Sequence, residues 1–196
     1  GYGALYSNTT GANNVGVGVS ALVANTTGYN NTAVGHLALD ACTTGIDNTA
    51  VGEQALCSNW GGSNNFAAGY QALKSNCDGV NNFAAGCLAL QNNTTGDGNA
   101  AIGASALRFN TTGINNIAVG TSASIQNTSG NYNVALGNNA LRNNKTGINN
   151  FAVGRCSLAH SASGSNNVAL GLCALLGNYD GDNNVALGSS ASRCNT

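Results

Sequence analysis

The sequence predicts an all-β chain, a parallel β-solenoid (a β-roll or β-helix) with one 17-residue coil per repeat and about eleven coils. Three observations carry this. Glycine stands at Gly1, Gly18, Gly35, Gly52, Gly69, Gly86, Gly103, Gly120, Gly137, Gly154, Gly171 and Gly188, each 17 residues after the last. A second glycine keeps the same period from Gly11 to Gly181. Three places after it comes Asn in every unit: Asn14, Asn31, Asn48, Asn65, Asn82, Asn99, Asn116, Asn133, Asn150, Asn167 and Asn184. A phase held without insertion or deletion is the mark of identical coils stacked in one register. Counting from the leading glycine, as in Gly103 to Val119, the unit has columns 1 to 17.

Seventeen residues are too few for a helix-pair repeat, which takes roughly 33 or more. Two glycines and an Asn pair per unit also disfavour helix, so two or three short strands per coil fit the length. The column 1 glycine follows a strand and lets the chain turn. Column 4 is nearly always Ala and column 5 mostly Leu, as in Ala106-Leu107, and the Leu is expected to fill the coil. Columns 8 to 11, as in Asn110-Thr111-Thr112-Gly113, read as a loop whose glycine takes positive φ. The column 14 Asn is expected to stack on itself and hydrogen-bond along a structural ladder, or to bond its own backbone in a turn.

Columns 14 to 17, as in Asn150-Phe151-Ala152-Val153, read as the best strand. Side chains alternate across a strand, so columns 15 and 17 share one face and the Ala of column 16 takes the other. Volume compensation places the bulky pair inside: Phe66 and Phe83 are followed by Ala68 and Ala85, although Phe151 is followed by Val153. The Ala of columns 4 and 16 then forms an outward stripe. It either packs under a turn or, as large apolar stripes do, marks a contact face for another copy of the chain.

Residues 1–196 read as a single repeat array and, starting at column 1 and stopping partway through a unit, as a slice of a longer fibre protein. A formal charge of −1 with 7% charged residues gives no footprint for nucleic acid and no polybasic face for a membrane. No apolar run approaches the ~20 residues of a spanning helix, so no membrane insertion is expected in this segment. Gly, Asn, Thr and Ser dominate, as in disordered linkers, but disorder has no need of fixed Leu, Ala and Val columns.

No catalytic, cofactor or metal constellation emerges, and no enzyme is expected. His36 and His160 fall in different columns, without a fixed carboxylate or Ser partner. Asp180-Gly181-Asp182 has the look of a calcium loop, but its spacing does not repeat. The glycines never make a phosphate-cradling loop. Seven cysteines include no Cys-x-x-Cys pair, and the odd count leaves at least one without a partner in the chain. Cys156 and Cys173 share column 3, and stacking would set their Cα atoms about 4.8 Å apart, a candidate disulfide. Asn8, Asn25, Asn30, Asn93, Asn110, Asn127 and Asn144 each begin Asn-x-Ser/Thr and are candidate glycosylation sites, unless the loop makes them by composition alone.

The block Asn30-Asn31-Thr32-Ala33-Val34-Gly35-His36-Leu37-Ala38-Leu39 resembles the head repeats of trimeric autotransporter adhesins. It also resembles the Asn-Thr-Thr-Gly-rich repeats of bacteriophage tail-fibre-like and large surface proteins. The likeness runs unit by unit over the whole chain. The adhesin repeat is shorter, and the extra residues here fall in the Asn-Thr-Thr-Gly loop. The resemblance implies a left-handed parallel β-roll, with three chains side by side and the Ala-rich strand turned toward the partners.

The leading expectation is a structural or adhesive segment of an extracellular fibre, on a cell or virion surface. Its partners are other copies of itself, as a homotrimer or an end-to-end filament, together with a surface glycan or host-cell ligand. The alternative is an ice-binding solenoid using the Thr columns. Against it, adjacent Thr residues in a strand point to opposite faces, and the first Thr column is broken at Trp60, Cys77, Lys145 and Tyr179. A polysaccharide-processing β-helix enzyme would need carboxylates clustered in a cleft, and so regular a coil offers none.

Overall fold

A computed structural model describes residues 1–193. Its elements are eleven three-residue strands: β1 (Val15–Val17), β2 (Thr32–Val34), β3 (Thr49–Val51), β4 (Phe66–Ala68), β5 (Phe83–Ala85), β6 (Ala100–Ile102), β7 (Ile117–Val119), β8 (Val134–Leu136), β9 (Phe151–Val153), β10 (Val168–Leu170) and β11 (Val185–Leu187). They form one parallel sheet in sequence order. Every register is a shift of one repeat, as in Ala118↔Ala135 and Ala135↔Ala152. The fold is a β-solenoid of about 10 turns.

Each coil has one strand rather than two or three. The opposite wall, columns 2 to 7, is a run of turns in which columns 3 and 5 take positive φ, as at Ser105 (58°) and Leu107 (49°). Coil-to-coil hydrogen bonds persist there all the same. Leu107 N–H donates to Ala123 O at 3.0 Å and Phe109 N–H to Ile125 O at 3.1 Å. A left-handed Leu costs about 1–2 kcal/mol. Burying its side chain returns about 1.5–3 kcal/mol, so the turn wall is held by what it points inward.

The interior reverses the expected facing. The Ala of columns 4 and 16 is fully buried, as at Ala106 and Ala118, together with the column 5 Leu. The bulky residues of columns 15 and 17 point outward. The reason is width. In the first coil column 16 is Gly16, and a Cβ placed there would lie 3.3 Å from Leu5 Cγ. The Leu of the turn wall reaches across the coil and leaves room for a methyl only. The small residue opposite the Phe positions is no sign of a packed core: Phe66 and Phe83 stack on the outer face at 4.7 Å and 8°.

The two glycine columns are required for different reasons. Column 1 takes φ that side chains rarely adopt, 129° at Gly120, and a Cβ there would sit 2.7 Å from the carbonyl of Gly137. Column 11 does not take the expected positive φ. It is Gly because a Cβ on Gly113 would lie 2.4 Å from Asn110 Oδ1 and 2.5 Å from Gly130 O.

Candidate functional site

The candidate site is a surface, the outer strand face. No charged residue occupies column 15 or 17 in any unit, and Thr32 and Thr49 are the polar exceptions among Val, Ile, Leu, Phe and Ala. The residues are partly exposed, with Val17 at 54%, Ile102 and Ile117 at 43% and Phe151 at 39%. Eleven rungs about 4.8 Å apart make a strip about 50 Å long, and three residues of strand make it about 10 Å wide. That is about 500 Å², at the upper end of what a monomer leaves exposed.

Two asparagine ladders hold this face in register. In column 14, Asn116 N–H donates to Asn99 Oδ1 at 3.0 Å, and its Nδ2 donates to Gly130 O at 2.8 Å and to Asn99 Oδ1 at 3.1 Å. Its own Oδ1 accepts from the backbone N–H of Asn133 at 3.0 Å. The same pattern runs from Asn14 to Asn184 through Asn31, Asn48, Asn65, Asn82, Asn150 and Asn167.

The second ladder, in column 8, was hidden inside the Asn-Thr-Thr-Gly loop. Asn110 Nδ2 donates to Asn93 Oδ1 at 2.8 Å and to Gly113 O at 3.0 Å. The two ladders meet at the column 11 carbonyl: Gly130 O accepts Nδ2 from both Asn116 and Asn127. Its signal is the Asn that column 8 holds in most units, which the Asn-x-Ser/Thr pattern of the same residues masks.

That geometry corrects the glycosylation expectation at five of the seven sites. Asn25, Asn93, Asn110, Asn127 and Asn144 are fully buried, and their Nδ2 groups lie in the ladder. Asn8 and Asn30 are exposed, with Nδ2 groups bonded to Gly11 O and Asp47 Oδ1. The disulfide expectation fails as well: Cys156 and Cys173 are free thiols. In-register stacking projects both side chains the same way, from φ of 57° and 54°. Cys194 lies outside the described residues.

The Thr hydroxyls of column 9 are engaged within the solenoid. Thr94 Oγ1 donates to Thr111 O at 3.0 Å and Thr111 Oγ1 to Thr128 O at 2.9 Å. The backbone N–H groups of Thr111, Thr112 and Gly113 converge on that same Thr128 carbonyl. The column 9 threonines thus build the loop edge, while Thr27, Thr44, Thr95 and Thr112 of column 10 are exposed.

Among the described residues no group of three His, Cys, Asp or Glu could hold a metal ion. His36 Nδ1 and Glu53 Oε1 approach to 3.9 Å on the surface, a pairing of little energetic worth. His160 stacks on Tyr179 at 6.2 Å. Burial pushes the thiols of Cys42 and Cys57 above the ordinary value, and burial raises the Asp40 carboxyl, with His36 opposing. Among the described residues no helix is long and apolar enough to cross a membrane. No family model, no curated protein and no solved structure matches this chain.

Proposed function

We propose that the chain is a non-enzymatic, structural and adhesive segment of an extracellular fibre, a rigid rod whose copies associate side by side through the outer strand face. The observation that carries this is the outward row of columns 15 and 17 over all eleven strands, apolar except at Thr32 and Thr49. The Ala columns expected to make that contact are buried in each coil and take no part. Two strips of about 500 Å² together bury about 1,000 Å², the area at which a biological interface begins. Three copies turning their strips to one axis would close a homotrimer with no strip left over. The ice-binding alternative is weakened, because the column 9 hydroxyls donate to the neighbouring coil, which leaves it the column 10 threonines alone.

Small-angle X-ray scattering tests the shape. Side-by-side association gives a particle about 50 Å long, the height of eleven rungs, with the cross-section of several chains. A particle of single-chain cross-section at every concentration would refute it.

A further inference from the structure

The few charges of this chain are sorted by wall. Four of its six basic residues, Lys74, Arg108, Arg142 and Arg193, stand in column 6, and Arg155 stands on the same wall in column 2. That wall carries two acidic residues, Asp40 in column 6 and Glu53 in column 2, both N-terminal to Lys74; Asp47, Asp78, Asp97, Asp180 and Asp182 fall in columns 10, 12 and 13 of the loop edge. A chain of net charge −1 therefore presents one positive wall. Lys74, Arg108 and Arg142 are each 34 residues apart, two coils, which places their column positions about 10 Å apart along the rod. The column 6 positions between them are the neutral Gln91 and Ile125.

The middle cation of the row, Arg108, is held in place. Arg108 Nε donates to Gln91 Oε1 at 2.9 Å, Gln91 Nε2 to Gln71 Oε1 at 2.6 Å, and Gln71 Nε2 to Gln54 Oε1 at 2.7 Å. The guanidinium lies 5.1 Å from the centre of the Phe109 ring, and among the described residues its terminal nitrogens have no acceptor. Neighbouring column 6 groups sense one another, since the Cys57 thiol responds to Asp40 one coil before and to Lys74 one coil after.

We propose that this wall binds a linear anionic polysaccharide carrying one carboxylate per disaccharide, laid along the rod axis. Cations two coils apart match a chain charged at every second sugar, and a fixed guanidinium suits a carboxylate. A nucleic acid strand carries a charge every 3.4 Å or so, about three times too dense for this row. The proposal rests on the fibre reading only in that columns 1 to 7 must stay uncovered when the outer strand faces associate.

The test is binding of the intact chain to hyaluronan, with dextran and oligo(dT) as neutral and densely charged controls. Hyaluronan should bind at low salt, weaken as salt screens the charges, and outcompete both controls. The triple variant Lys74→Gln, Arg108→Gln, Arg142→Gln should weaken hyaluronan binding at least about tenfold, the loss of ~1.4 kcal/mol, while Lys145→Gln on the loop edge leaves it unchanged. Exchanging Gln91→Arg with Arg108→Gln conserves charge but breaks the two-coil spacing, and should weaken binding several-fold. None of these side chains is buried, and unchanged thermal melts certify folding. No binding to hyaluronan, equal binding by the exchanged variant, or tighter binding to oligo(dT) overturns the proposal. Sedimentation of the same samples separates the two ideas: a monomer that binds hyaluronan refutes the association alone, and an oligomer that does not refutes the polysaccharide wall alone.

Discussion

The two asparagine ladders look alike and are not equally tolerant. Column 14 is Asn in every unit. Column 8 is broken at Cys42 and Ser161. Among the described residues, Asn25 Oδ1, Asn144 Oδ1 and Ser161 Oγ are buried without a partner as a result. The difference lies in what each amide serves. A column 14 Oδ1 accepts the backbone N–H of the next coil, and orphaned buried N–H groups are rare. A column 8 Oδ1 accepts a side-chain Nδ2, and that nitrogen keeps a second acceptor in the column 11 glycine carbonyl. A repeat is therefore strict where a side chain completes the backbone, and lax where side chains complete each other.

Removing one rung from each ladder tests this most strongly. Asn116→Ala orphans the buried N–H of Asn133 and should cost about 3 kcal/mol in urea unfolding. Asn110→Ala leaves Asn93 Oδ1 without its donor, while Gly113 O still receives Nδ2 from Asn99, and should cost about 2 kcal/mol. Equal losses would erase the distinction. Repairing the broken ladder should stabilise it: Cys42→Asn and Ser161→Asn each supply the missing donor, for a gain of about 1 kcal/mol apiece in the same assay.

The smallest effect is a pH dependence. Burial raises the Cys42 thiol above its ordinary 9.0 in the folded chain. Its stabilising contribution is whole below the unfolded value and is lost as pH rises through the folded one, because the unfolded thiol ionises first. Wild type should therefore lose stability above pH 9.0 faster than Cys42→Asn; parallel decline of the two would show that the thiol carries none of it.

The fold was legible because period is geometry. A repeat of fixed length with no slip requires coils in register, and Asn14 to Asn184 marked the rungs. The facing was not legible. Alternation divides columns 15 and 17 from column 16, but does not say which side is inside. That is set by Leu107 and its equivalents reaching across from a wall whose left-handed turns leave no hydrophobic alternation to read. Asn13 and its column equivalents are legible only in part, for a related reason. In Asn115-Asn116 the first residue accepts a left-handed turn, φ 54°, and the second builds the ladder, so one dipeptide carries two separate requirements. Ser124 shows the limit from the other side: it stands in the Leu column, buried with its Oγ unpartnered, and no pattern of the repeat foretells it.

The functional reading turns on the outward strand residues, and sedimentation velocity of wild type beside Ile117→Asp, Val119→Asp tests it most directly. Both side chains are exposed, so the coil should keep its fold. Wild type should sediment as an oligomer and the variant as a monomer. A monomeric wild type, or a variant that associates as well as wild type, would contradict the account.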